Sequence, residues 1–186
     1  MNARWVSLTC AAAIVGCVSM GRASGAEAIL EVFVEVRGGI DGRDLVFARN
    51  TARQIYGAAN VRLNWHEAKD PDVAATRRTI VIITNNRRMD DVFGNPDVLG
   101  SVAQPGVRAY VHYDRVAQFA RDHDKEPGII LGGVIAHELG HLVLGAAHSA
   151  TGIMSATMDT RPTAVFDFLP EQIVALRRAL SKSSNR

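Results

Sequence analysis

Cysteine is almost missing from this chain: Cys10 and Cys17 are its only two, and both lie within the first 26 residues. Once that segment is cut off, no thiol remains, which excludes disulfide cross-links, redox turnover and thiolate nucleophiles. A basic excess is missing as well. The formal net charge is +2, and Arg4 and Arg22 of the same N-terminal segment account for it. The remainder has none of the electrostatic footprint of a nucleic-acid binder, so no nucleic-acid partner is expected. There is no internal repeat, low-complexity tract or charge block. A chain of 186 residues without such divisions reads as one domain, large enough to bury a core without a structural metal. A bound metal would therefore be kept for chemistry.

A long apolar run is also lacking except near the start. Arg4 supplies a positive charge, Val6 to Val18 is apolar, and Ser24-Gly25-Ala26 offers small residues for cleavage, the three parts of an export signal. The run is short for a bilayer span, and Ser19, Arg22 and Ser24 follow it closely. Cleavage near Ala26 is expected, leaving residues 27–186 as a secreted or periplasmic product. The alternative lies at Ile14-Val15-Gly16-Cys17, which resembles the lipobox of bacterial lipoproteins. Acylation of Cys17 would anchor the protein at the cell envelope, and only then is a membrane partner expected.

Periodicity places the elements. Ala28 to Val36 alternates as a strand does, and Gly38-Gly39 ends it. Asp41 or Asp44 can cap a helix running to about Tyr56, with Leu45, Ala48, Ala52 and Ile55 on one side and Gly57 as its stop. Val61 to Trp65 and Thr79 to Thr84 are strands, the second nearly all apolar and hence central in a sheet. Asn85 to Gly106 reads as loop. Val107 to Tyr113 alternates again, with Arg108, Tyr110 and His112 on a wet face. Helices follow at about Arg115 to Asp122, Gly128 to Leu144 and Pro170 to Leu180, the last opened by its proline. Strands mixed with helices, without strict alternation, argue for an α+β domain.

The stretch HELGHLVLGAAHSATGIM, His137 to Met154, holds three of the six histidines. At about 100 degrees per residue, His137 and His141 fall about 40 degrees apart on one helix face with Glu138 beside them. Leu131, Ile135, Leu139 and Leu142 fall opposite, so the helix can bury its back while presenting two imidazoles and a carboxylate. Two imidazoles one turn apart bind zinc, and a glutamate outside the ligand shell can take a proton from the water that the metal activates.

These residues resemble the metzincin zinc endopeptidases, whose pattern is HExxHxxGxxH with a following methionine turn. VIAHELGH (Val134 to His141), Ser149 and Gly152-Ile153-Met154 are most similar to the matrixin branch. The resemblance implies a zincin-like fold: a mixed twisted sheet, an active-site helix and a small C-terminal subdomain, here residues 146–186. It implies one catalytic Zn2+, Glu138 as general base, Met154 beneath the metal with Met158 as a substitute, and a peptide or protein substrate. It also implies an edge strand that binds substrate, assigned to Val107 to Tyr113. The family's inhibitory cysteine motif is missing.

One spacing departs from the pattern. Gly145 comes four residues after His141 rather than three, and His148 seven rather than six. A glycine at a helix end can reverse the chain, so Gly145 is expected to absorb the extra residue and His148 to serve as third ligand. Asp159 and Glu171 are its rivals. His66 and His123 are expected on solvated surface, and His112 and Tyr113 as ordinary strand side chains. Two functions follow: a secreted zinc endopeptidase, or a zincin-like module that keeps its metal for binding without proteolysis.

Overall fold

A computed structural model describes residues 27–69, 79–85, 98–103, 107–161 and 166–183. The expected export segment, with Cys10 and Cys17, lies outside them. The elements in chain order are β1 (Ala28–Arg37), α1 (Gly42–Ala58), β2 (Val61–Glu67), β3 (Thr79–Thr84), β4 (Gly100–Ala103), β5 (Arg108–His112), α2 (Tyr113–Asp122), α3 (Pro127–Leu144) and α4 (Pro170–Ser183).

The strands form one sheet in the order β2-β1-β3-β5-β4. Its first four members run parallel, and β4 closes the edge antiparallel to β5. The sheet is mixed, as the α+β reading requires, and apolar β3 is central. Two expectations change. Strand β5 pairs on both sides, with β3 and with β4, so it is not the edge. The edge is β4, inside the stretch read as loop. His112 also departs from its assigned wet face: it is 1% exposed.

Parallel strands need crossovers, and α1 provides the one between β1 and β2. Asp41 caps α1 by accepting a hydrogen bond from the Arg43 backbone N–H at 2.8 Å. Asp44, the other candidate cap, is instead buried and accepts from the Tyr113 hydroxyl at 2.5 Å. Tyr113 therefore opens α2 rather than ending β5. Its hydroxyl is pushed up to about 12, first by burial and then by this carboxylate.

The core lies between the sheet and its helices. Leu30, Val32 and Val34 of β1, Val81 and Ile83 of β3 and Val111 of β5 pack in one cluster with Ala48 and Ala52 of α1 and Leu131, Ile135 and Leu139 of α3. Ile153, Met154, Phe168, Leu176 and Leu180, from the C-terminal segment, join the same cluster. By length and composition α3 could cross a membrane, but most of it is buried inside this fold.

Helices α1 and α3 cross at unusually close range because α3 carries glycine where they touch. A Cβ built on Gly132 would lie 2.5 Å from Thr51 Cβ and 2.7 Å from the Ala48 carbonyl oxygen. Tyr56 of α1, fully buried, donates from its hydroxyl to the Ala136 carbonyl at 3.2 Å and meets Phe168 edge-on at 5.0 Å. The residue before His137 is thus fixed from behind. A Gly132→Val chain should lose about 1–3 kcal/mol or more of unfolding free energy through overpacking, measured by urea denaturation; an unchanged midpoint would mean that the helices separate without cost.

Candidate metal centre

Helix α3 delivers His137, Glu138 and His141 together. Its proline sits in the first turn, where the missing N–H costs nothing, and its apolar side is buried as the wheel requires. The helix continues through Leu144, so the residue added to the family spacing is helical. Gly145 then ends it: its N–H bonds the His141 carbonyl at 3.0 Å, and its φ of 96° and ψ of −176° form an extended conformation essentially restricted to glycine. The reversal is therefore a glycine-only geometry, though not the helical left-handed one.

Three residues later the chain brings His148 back to the helix. The Nε2 atoms of His141 and His137 are 2.9 Å apart, and those of His141 and His148 3.2 Å. Ligand atoms of all three lie within 4.8 Å of one another. Among the described residues this is the group close enough to share an ion, and neither Asp159 nor Glu171 belongs to it. Asp159 is instead paired with Arg161, which holds its carboxyl down at about 2. Glu171 is exposed in the first turn of α4.

The hydrogen bonds decide which nitrogen is available. His137 Nδ1 lies 2.7 Å from the Ile153 carbonyl oxygen, and His141 Nδ1 2.9 Å from that of Gly145. A carbonyl only accepts, so each Nδ1 must carry the proton and donate. In the neutral rings both Nε2 atoms are then bare lone pairs facing each other. Such an arrangement calls for a cation. Tetrahedral zinc at about 2.0–2.1 Å from nitrogen sets ligand atoms about 3.3 Å apart, close to the two separations observed. Burial, aided by the neighbouring histidines, lowers His137 to about 4, and burial also lowers His141. Both are thus kept in the neutral form that metals bind.

Below the histidines, the chain turns sharply. Ser149 N–H donates to Met154 O at 2.9 Å and Ile153 N–H to Asp167 O at 2.9 Å, so the backbone whose Ile153 carbonyl holds His137 is itself pinned. Met154 is 1% exposed and fills the space beside Gly140, whose Cβ would fall 2.3 Å from its sulfur. Met158 lies instead beside Gly133, about two turns earlier on the helix.

Glu138 is 4% exposed, and its Oε2 has no hydrogen-bond partner among the described residues. Burial raises its carboxyl to about 8. A buried, unmatched carboxylate beside three converging imidazole Nε2 atoms fits a cation and a water better than it fits a core. The histidines and Glu138 open onto a cleft of about 1280 Å³, lined also by Leu99, Gly100, Val102, Thr157 and Met158. The remaining histidines stand apart. His66, expected in solvent, is partly buried, 2.5 Å from Glu31 and stacked on Phe33; His123 is exposed and donates to Phe119 O.

A mixed sheet with an HExxH helix and a third histidine returned to it defines the zincin class of metallopeptidases. The family model for matrixin peptidases matches residues 45–176, more than half of the chain, and the chain belongs to that family: it is a zinc metallopeptidase of metzincin type. Among solved structures, an archaemetzincin from Methanopyrus kandleri is similar in fold, with a TM-score of 0.53 over 85% of this chain and 98% of that one, at 18% identity. Comparison with curated proteins finds no match.

Gly145→Ala tests the helix exit. A Cβ there meets no neighbour but strains the backbone, shifting the carbonyl that orients His141. Zinc affinity should fall about 10–100-fold, as for lost outer-shell partners, measured by competition with a chromogenic chelator; unchanged affinity would show that His141 does not need this carbonyl.

Proposed function

We propose that this protein is a secreted zinc-dependent endopeptidase in which His137, His141 and His148 hold one zinc ion and Glu138 is the general base. The observation that carries the reading is the pair of Nδ1 bonds to backbone carbonyls, which leaves two Nε2 lone pairs converging beside the His148 Nε2 atom. Bound there, zinc would supply Lewis acidity, polarising a peptide carbonyl and acidifying water.

The chain's own groups supply the rest. Glu138 Oε2, buried and without a hydrogen-bond partner among the described residues, takes a proton from the attacking water and passes it to the nitrogen of the breaking C–N bond. Burial alone would keep this carboxyl protonated near neutral pH, while a nearby dication acts in the opposite direction and favours the carboxylate. With His137, His141 and His148 as its protein ligands, a bound zinc would remain open to substrate or water. Edge strand β4, whose Gly100 to Val102 line the cleft, can receive an extended peptide by backbone pairing, the role first assigned to Val107 to Tyr113. Residues 1–26 support export, with release after Ala26 or acylation at Cys17 as its two forms.

Purified protein should contain about one zinc per chain, cleave casein, lose that activity to a chelator and regain it with zinc. Glu138→Ala should keep its zinc and lose about 10²–10⁴-fold in turnover, whereas a zincin-like binding module would be indifferent to that change. His148→Ala should lose tight zinc; retained stoichiometry and affinity would send the search for the third ligand elsewhere.

A further inference from the structure

Helix α3 and edge strand β4 meet at Gly100, and the contact is one that no side chain could share. A Cβ on Gly100 would lie 2.6 Å from Glu138 Oε1, 2.8 Å from its Cγ and 2.9 Å from its Cδ. Nothing in the backbone demands glycine here. The φ of Gly100 is not in the positive range, and the residue sits in a strand, opposite Val111. Glycine in a strand sacrifices stability and marks the close approach of another group.

We propose that Gly100 is a positioning residue: its missing side chain forms the seat of the Glu138 carboxyl and holds it at the height that proton transfer needs. The proposal rests on Glu138 as general base. Oε2 finds no hydrogen bond among the described residues to fix it, so the carboxyl is placed by what it packs against. That surface is rigid. The Leu99 carbonyl accepts from His112 N–H at 2.9 Å, and the Val98 carbonyl from the Arg115 guanidinium at 2.8 Å. With those anchors on its entry and β5 along its length, β4 cannot retreat from an added methyl group, and the longer glutamate side chain must yield.

Gly100→Ala tests this, since alanine suits a strand at least as well as glycine and the three atoms nearest its Cβ all belong to Glu138. The carboxyl should move by roughly 1 Å to regain ordinary contact, seen in a crystal structure of the variant. The kcat on a peptide substrate should fall about 10–100-fold with KM within about twofold, and zinc content and melting temperature should stay unchanged. Glu138→Asp, one methylene shorter, withdraws from the added Cβ. In that background Gly100→Ala should cost less than about threefold further, the non-additivity of two groups in contact.

A Gly100→Ala enzyme with wild-type kcat and an unmoved carboxyl overturns the proposal, as does an equal loss in the Asp background. So does a loss that tracks falling zinc content or melting temperature. If Glu138→Ala itself retains turnover, the base assignment fails and the proposal with it; if Glu138→Ala is inactive while Gly100→Ala is fully active, Gly100 alone loses its role.

Discussion

Two imidazole lone pairs held 2.9 Å apart repel unless a positive charge lies between or beside them, and this fold spends three separate backbone features on holding them so. The Ile153 and Gly145 carbonyls each accept a hydrogen bond from an Nδ1–H and thereby fix the tautomer. The turn from Ser149 to Met154 locks the first of those carbonyls, and the glycine-only reversal at Gly145 places the second. A protein with no use for a cation would gain by relaxing any one of them. Metal affinity at this cluster would therefore depend on the backbone path as much as on the histidines, consistent with the general rule that outer-shell acceptors orient the ring and raise its basicity.

The same helix is approached closely from three sides, and each approach replaces a side chain by hydrogen. Gly132 admits α1, Gly140 admits Met154 and Gly100, on the strand above, admits Glu138. Glycines inside a helix cost about 1 kcal/mol each relative to alanine, so their clustering on α3 needs a compensating gain. That gain is packing. Tyr56 and Met154 clamp the helix at Ala136 and Gly140, the residues flanking His137 and preceding His141. His137 and His141 are thereby mounted on a helix packed against on both sides, the kind of support that precise placement of side chains requires.

Much of this is legible in the residues themselves. The helical wheel separates His137, Glu138 and His141 from Leu131, Ile135, Leu139 and Leu142, and the structure buries the second set. Thr79 to Thr84 declares itself central by being apolar on both faces. What the one-dimensional pattern hides is whatever depends on a distant partner. Strand β4 is four residues, GSVA, with neither alternation nor strong strand formers beyond Val102, and exists because β5 offers it a ladder. His66 reads as surface, yet parallel pairing sets it opposite Phe33 and within reach of Glu31. Tyr113 continues an alternating pattern but is drawn into α2, where its hydroxyl reaches Asp44.

The lengthened interval between the second and third histidines shows why spacing motifs tolerate insertion at some places and not at others. An added residue inside a helix rotates everything after it by about 100 degrees, which would carry the exit of α3 well away from its usual direction. The rotation matters only if the following segment inherits it. At Gly145 it does not, because the chain leaves the helix through a φ of 96° that resets its course, and Gly145 to His148 keeps the family interval. The helix end is where the backbone has conformational freedom to spare; between His137 and His141, where both rings must share one face, there is none. In this chain what matters is thus the meeting of nitrogen atoms in space, and the sequence interval is only one of the ways to reach it.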